Sequence, residues 1–387
     1  MDMKKYINPT IAQLPPSGIR KFFDLVSQSN GIISLGVGEP DFVTPWNIRE
    51  TAWYSLTRGY TMYSPNRGLL ELRELIAEYE QNSIGVTYQP ENDILVTVGA
   101  SEAVDLAFRA LIEPGDEVLI PEPSYVAYAP GVAMAYGVPV PVATFDEDEY
   151  RLKPEQLAAK ITPKSKILVL SYPNNPTGGI MNQEDLQALC DLIQKNDLLV
   201  ISDEIYSELT YEGKHVSIAS LPGMKERTIV VNGFSKAFAM TGWRIGYACG
   251  NSDLIGAMNK IHQYAILCAP IMAQKAAIEA LRHGRDEMKA MVEDYNARRL
   301  LIVNGMREIG LSCFEPRGAF YCFPSIRTTG LSSEEFCTRL VQEAKVAAIP
   351  GTAFGESGEG FIRCCYAASV TNIETALERI EQFLTKL

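Results

Sequence analysis

The stretch Asn232-Gly-Phe-Ser-Lys-Ala-Phe-Ala-Met-Thr-Gly-Trp-Arg-Ile-Gly-Tyr247 organises the reading of the whole chain. It continues the β-branched run Thr228-Ile-Val-Val231, so Lys236 falls just past the end of an expected strand, at the entry to a small-residue turn. A lysine at such a transition is usually a solvated surface charge. Here Ser235 stands beside it, and Arg244 follows a Gly-Trp turn ahead of Gly246. Hydroxyl, amine and guanidinium in one cluster suit a phosphorylated aldehyde, because the amine can form a Schiff base while Ser235 and Arg244 hold the phosphate.

Working outward, short β-rich runs alternate with helical patterns from about residue 90 to 250. Ile94-Leu-Val-Thr-Val98 reads as a strand, followed by Gly99 and a helix from about Ser101 to Leu111. Val118–Pro121, Lys166–Ser171, Leu198–Ser202 and Thr228–Val231 read as further strands. A helix after Lys166–Ser171 has Asn182 as its N-cap and an apolar stripe of Leu186, Leu189, Cys190 and Ile193. Strands apolar on both faces and separated by helices predict an α/β fold with a mostly parallel, doubly covered sheet. Towards the C-terminus the pattern changes to a long charged helix (about Glu287 to Ile309), short strands near Ala319–Phe323 and Gly360–Tyr366, and a closing helix from about Asn372 to Leu384. That mixture predicts a separate α+β unit. Pro9, Pro15 and Pro16 mark an extended arm.

The bulk numbers restrict function only coarsely. A chain of 387 residues has room for two domains, and 47% hydrophobic with 21% charged residues is ordinary for a soluble globular protein. The net charge of −12 argues against nucleic acid or an anionic membrane as partner. No apolar run has bilayer length, and Met1–Tyr6 lacks the apolar core of a signal peptide. The eight cysteines show neither C-x-x-C nor zinc spacing, which predicts no metal site, buried reduced thiols and a cytoplasmic setting. The adjacent pair Cys364-Cys365 reads as packing within a strand. His215, His262 and His283 form no triad or ligand set and read as surface or core residues.

A cofactor held by Lys236 would also need an anion at its ring, a phosphate cradle and a cation for a substrate carboxylate. Asp203, directly after an apolar strand in Val200-Ile-Ser-Asp-Glu-Ile-Tyr206, is placed to meet a ring nitrogen; the pattern equally accommodates Asp203 or Glu204 as a helix cap. Val98-Gly-Ala-Ser-Glu-Ala103 has the strand–Gly–helix form of an anion site, offering Ala100 and Ser101, although many βα turns look the same. Ser171-Tyr-Pro-Asn-Asn-Pro-Thr-Gly178 is a dense turn after a strand. Tyr125 supplies either a stacking face or a core aromatic. Arg363 lies in the apolar run Gly360–Tyr366, where a guanidinium needs an anion: a structural partner or a substrate carboxylate.

The Lys236 segment closely resembles the lysine motif of the class I/II aminotransferases, which use pyridoxal 5'-phosphate, and the resemblance covers nearly the full length. It implies the type I fold of pyridoxal-phosphate enzymes: an arm and part of a small domain over residues 1–44, a large cofactor-binding domain over 45–285, and the rest of the small domain over 286–387. It also implies a homodimer with active sites at the subunit interface. By resemblance, Asp203 pairs with the ring nitrogen, Tyr206 with the ring's phenolic oxygen, and Asn175 with both that oxygen and the substrate carboxylate, while Asn174 is structural. Tyr125 stacks on the ring; Ala100, Ser101, Ser235 and Arg244 take the phosphate. Tyr63, in Tyr63-Ser-Pro-Asn-Arg-Gly68, reaches the neighbouring subunit's phosphate. Arg363 clamps the substrate carboxylate, with the amide of Gly38 from Leu35-Gly-Val-Gly-Glu-Pro-Asp41 beside it. One departure is Gly233, where some branches carry a hydroxyl residue.

The stretches Ser17–Phe22, Asp203–Tyr211 and His262–Tyr264 look most like the aromatic and N-acetyl-diaminopimelate branches. The expected reaction is therefore ping-pong transfer of an amino group from an aromatic or broad range of L-amino acids to 2-oxoglutarate. The alternatives are an aspartate or N-acetyl-LL-diaminopimelate aminotransferase, or a carbon–sulfur lyase on the same scaffold. A cofactor-binding regulator would need an N-terminal DNA-binding domain, for which the motifs beginning near Leu35 leave no room.

Overall fold

Strands apolar on both faces need cover on both sides, and the computed structural model, which describes residues 3–15, 18 and 31–387, shows how the chain supplies it. The main sheet holds β2 (Ile94–Thr97), β3 (Glu117–Glu122), β4 (Val138–Ala143), β5 (Ser165–Ser171), β6 (Leu199–Asp203), β7 (Thr228–Gly233) and β8 (Gly246–Cys249). Their spatial order is β2-β8-β7-β6-β5-β3-β4. β8 runs antiparallel to both neighbours, and the remaining pairings are parallel.

Alternation along each strand sorts the two faces. Ile120, Val169, Ile201 and Val231 pack with Ala103, Ala107 and Phe108 of α3 (Gly99–Leu111) and with Ile255 and Met258 of α5 (Ser252–Ala265). Leu168, Leu170 and Val200 face the opposite way, onto Leu186, Leu189, Cys190 and Ile193 of α4 (Gln183–Lys195). Each such side chain contributes about 1.5–3 kcal/mol by leaving water. Helix α4 starts where the sequence placed it: the Asn182 side chain accepts from the Asp185 amide, and the Asp185 carboxylate accepts from the Asn182 amide. Val96, Val230 and Tyr247 join a third cluster with Ile76 of α2 (Leu70–Ile84) and Ala276 and Ala277 of α6 (Ile271–His283).

The two ends of the chain meet in a second assembly. β1 (Ile33–Ser34) pairs in parallel with β10 (Val346–Ala347). β11 (Ile349–Pro350), β12 (Ile362–Cys365) and β9 (Tyr321–Cys322) form an antiparallel sheet. Helices α7 (Arg285–Glu308) and α8 (Val370–Leu384) cross closely because Gly305 has no side chain; a Cβ there would strike Leu377. The strand expected over 319–323 is shorter than its apolar pattern: Ala319 sits at φ +56, in the left-handed region, which interrupts extended backbone before Tyr321. The arm expected to be extended is instead a short helix at Pro9–Gln13, where Pro9 fits the first turn and Asn8 caps it; Pro16, and Ser17–Phe22 apart from Gly18, lie outside the described residues.

Candidate active site

The topology creates the site. β3, β5, β6 and β7 run in one direction, and β2 runs the same way because β8 is antiparallel to both β2 and β7. Five strand ends and the start of β8 therefore share one edge, where α/β sheets place their ligands. A cavity of 460 Å³ opens there. Its walls include Gly38, Ala100, Ser101, Tyr125, Asn175, Asp203, Tyr206, Ser235, Lys236, Arg244 and Arg363. Tyr63 is elsewhere, 82% exposed on the surface of the single chain.

Three of these groups surround the N-terminus of α3. Gly99 has φ +77, and a Cβ there would press against the Arg244 guanidinium. At Gly246 a Cβ would lie 2.6 Å from the Ala100 nitrogen, so β8 can pass directly beneath the helix start only as glycine. Arg244, itself at φ +51, donates from Nη1 to the Thr241 carbonyl at 3.0 Å. A helix N-terminus flanked by Ser101, Ser235 and Arg244 has the donor set for a phosphate dianion. The first turn also carries Glu102, whose carboxylate is held by the Val98 amide and by the buried His262, 2.8 Å away.

Lys236 Nζ donates to the Gly38 carbonyl at 2.8 Å and stands 5.7 Å from the centre of the Tyr206 ring. Burial lowers its pKa from 10.5 to about 8, assisted by Arg363 and Arg244 and opposed by Cys365 and Glu39. At neutral pH about one such amine in ten is uncharged, against about one in three thousand for an ordinary lysine. That fraction is what an amine needs to attack an aldehyde.

Asp203 is fully enclosed. Burial pushes its carboxyl pKa up, while hydrogen bonds from the Tyr128 hydroxyl (2.7 Å) and the Ile205 amide (3.2 Å) pull it back. A buried carboxylate with this balance gains most from a cation placed beside it. No helix follows β6, so neither acid acts as an N-cap. Glu204 instead accepts from Ser202, Ser217 and His215, at 2.9, 2.5 and 2.8 Å. Tyr206 shares a 2.7 Å hydrogen bond with the hydroxyl of Tyr321.

Arg363 is 2% exposed. It donates to Asn175 Oδ1 at 2.9 Å and to the Gly36 carbonyl at 2.6 Å, and Nε has no partner. Among the described residues no carboxylate pairs with it. A buried cation without an anion, aimed into a cavity, is a receptor for one. Asn174 is used up inside its turn, accepting from Thr177 and donating to the Ser171 carbonyl. Sequence reasoning missed Gly36, Thr241 and Tyr321, all in the cavity wall. A backbone carbonyl such as Gly36's carries no side-chain signal, and Tyr321 sits in an aromatic run that reads as core.

Attacking amine, buried carboxylate, phosphate cradle and unpaired arginine together fit pyridoxal phosphate. Fold and site define a pyridoxal-phosphate-dependent enzyme of fold type I. The chain belongs to the family Aminotransferase class I and II, whose model matches residues 30–380, and it is an aminotransferase. It is 51% identical to the putative aminotransferase YugH of Bacillus subtilis over 384 residues, 99% of this chain and all of that one. It is 46% identical to an aspartate aminotransferase of Pyrococcus abyssi, covering 95% of this chain and 96% of the relative. The aromatic aminotransferase structure from Pyrococcus horikoshii superposes with a TM-score of 0.91 at 44% identity, over 94% of this chain and 99% of that one. Among the described residues no helix is long and apolar enough to cross a membrane, and no cluster of side chains suits a metal ion.

Proposed function

We propose that the enzyme moves the amino group of aromatic or a broad range of L-amino acids to 2-oxoglutarate by a ping-pong cycle. Bound pyridoxal phosphate supplies an electron sink for the pair left behind when a substrate loses its Cα proton. Lys236 would hold the cofactor through its aldehyde, and its Nζ, when free, would be the base that takes the substrate Cα proton and the acid that gives it back beyond the nitrogen. Asp203 would keep the ring nitrogen protonated, and Tyr206 and Asn175 would donate to the phenolic oxygen. Tyr125 would offer its face to the ring. The amides of Ala100 and Ser101 with Ser235 and Arg244 grip the phosphate, and Tyr63 adds a hydroxyl to the site of the second subunit of a homodimer. Arg363 and Asn175, with Gly38, orient the substrate carboxylate so that the Cα–H bond faces Lys236. The eight free cysteines, seven of them buried, suit a reducing cytoplasm.

The observation that carries the donor assignment is the cation count. Among the described residues only Lys236, Arg244 and Arg363 bring positive charge to the cavity wall, and each has a role already. A donor with a second carboxylate would find no further cation for it among the described residues of this chain. An aromatic side chain fits those walls. The same count places a demand on 2-oxoglutarate, whose distal carboxylate must find its cation beyond the described residues of one chain. The second reading, aspartate as donor, rests on the same premise and on the P. abyssi relative.

The test is a half-reaction. Yellow holoprotein mixed with phenylalanine alone is expected to lose its colour, and 2-oxoglutarate is expected to restore it. Bleaching by aspartate but not phenylalanine reverses the donor assignment. Release of pyruvate from cystathionine without net amino transfer would identify a lyase.

A further inference from the structure

We infer that Tyr321 is a positioning residue acting on both ends of the site at once: its hydroxyl orients Tyr206, and its ring face orients Arg363. The inference deepens the proposed function and rests on the roles given there to those two residues.

Register puts the three side chains together. β9 and β12 pair with Tyr321 opposite Cys365. Side chains two apart on a strand share a face, so Arg363 lies diagonal to Tyr321 on the same side of the small sheet. The Arg363 guanidinium carbon stands 4.5 Å from the centre of the Tyr321 ring, and Phe354 backs it at 4.8 Å. With both rings this close, the guanidinium still has Nε without a partner, open to a carboxylate.

The hydroxyl end is as tightly specified. Tyr321 is 1% exposed, and its hydroxyl lies 2.7 Å from that of Tyr206. Space for it exists only because residue 38 is glycine: a Cβ there would collide with the Tyr321 oxygen and lie 3.2 Å from the adjoining ring carbon. The same residue presents its carbonyl to Lys236.

The direction of the hydroxyl–hydroxyl bond follows from bookkeeping of protons. A phenol has one proton to donate. If Tyr206 gives its proton to an acceptor in the cavity, the bond between the two tyrosines must run from Tyr321 to the Tyr206 oxygen. A phenol that accepts a hydrogen bond releases its own proton more readily, so the cooperative chain strengthens the donation of Tyr206 into the site. A tyrosine that merely filled the core would do neither job.

The test uses holoenzyme and needs no substrate for its first arm. The pH midpoint of the colour change of the bound cofactor is titrated in wild type, Tyr321→Phe, Tyr206→Phe and the double variant. Tyr321→Phe is expected to raise the midpoint by about 0.4 to 1 pH unit, the worth of one hydrogen bond. The double variant is expected to match Tyr206→Phe. An unchanged midpoint in Tyr321→Phe, or an equal further shift on the Tyr206→Phe background, overturns the hydroxyl role. In the second arm Tyr321→Phe keeps KM for the amino acid within about twofold, whereas Tyr321→Leu raises it about 2- to 30-fold through loss of the cation–π face. An unchanged KM in a Tyr321→Leu protein that melts with wild-type cooperativity overturns the ring role. A titration that behaves as expected in a protein inert towards phenylalanine would refute the donor assignment and support Tyr321; a holoprotein bleached by phenylalanine whose colour is indifferent to pH would refute the hydroxyl role and leave the donor assignment standing.

Discussion

Replacing Arg363 with lysine keeps the charge and removes the fork, and the structure sets the size of the effect. The guanidinium spends one N–H on Asn175 and one on Gly36, leaving the N–H of Nε and one on each terminal nitrogen for a ligand. A carboxylate can take two of these in parallel. Lysine offers a single point of contact, so one charge-assisted hydrogen bond worth about 1.5–3 kcal/mol is lost, about 10- to 150-fold in kcat/KM. Arg363→Leu removes both bonds and leaves the substrate carboxylate buried without a partner, about 2–5 kcal/mol or roughly 30- to 5,000-fold. The assay is the rate of bleaching of holoenzyme in single turnover, with phenylalanine and with phenethylamine, which has the same ring and amine but no carboxylate. Arg363→Lys is expected to slow phenylalanine and leave phenethylamine near its wild-type rate. Equal slowing of both substrates would mean that Arg363 shapes the site structurally, and the carboxylate assignment would fall.

Two further perturbations probe other parts of the site and scaffold. Lys236→Ala is expected to lower kcat by at least about 100-fold while the Arg244 and Ser235 cradle still holds the cofactor, now removable by dialysis; a variant turning over at the wild-type rate would refute the proton-transfer role. Glu80, sealed in the core with the Tyr247 hydroxyl 2.6 Å away, has its pKa raised from 4.5 to about 8 by burial first and by Glu204 second. The folded protein therefore holds a proton there that the unfolded chain gives up. Its contribution to stability is complete below about pH 4.5 and is lost as pH rises through about 8. Glu80→Gln should flatten the decline in melting temperature between about pH 6 and about pH 9, by the equivalent of about 1–3 kcal/mol. Parallel declines in the two proteins would show that Glu80 does not titrate as described.

Strands β5, β6 and β7 were legible because a doubly covered strand must be apolar on both faces, and few other contexts ask for that. Strand β4 was not, since Val138-Pro-Val-Pro-Val142 reads against a strand. Its place at the sheet edge explains it: Pro139 and Pro141 fall on one side of the backbone, the side with no neighbour to hydrogen-bond. Nor does a short run such as Gly246-Tyr-Ala-Cys249 declare its direction, yet the antiparallel course of β8 brings Arg244 to the same edge as Lys236. Helix Trp46–Thr57 hides its period because Trp46 and Trp53 are exposed while Ile48 and Ala52 are buried. In the site, the side chains that the sequence singled out on one chain, Tyr63 apart, line one cavity, whereas Gly36, which offers only a carbonyl, and Tyr321, inside an aromatic run, carried no signal. Tyr63 is a different case, because its proposed role belongs to a pair of chains and its exposure in one chain gives it no local partner.

The pairing of the two chain ends in β1 and β10 has a consequence for how the enzyme is born. The residues of one chain proposed to hold its own cofactor, from Ala100 to Arg244, have all been synthesised once β8 has left the ribosome. Arg363 arrives more than a hundred residues later, and the Gly36 carbonyl that anchors it waits, among the first residues synthesised, for that strand. At roughly 5–20 residues per second the interval lasts about 6 to 25 seconds. Within one chain, the proposed carboxylate clamp is thus the last part of the site to be synthesised.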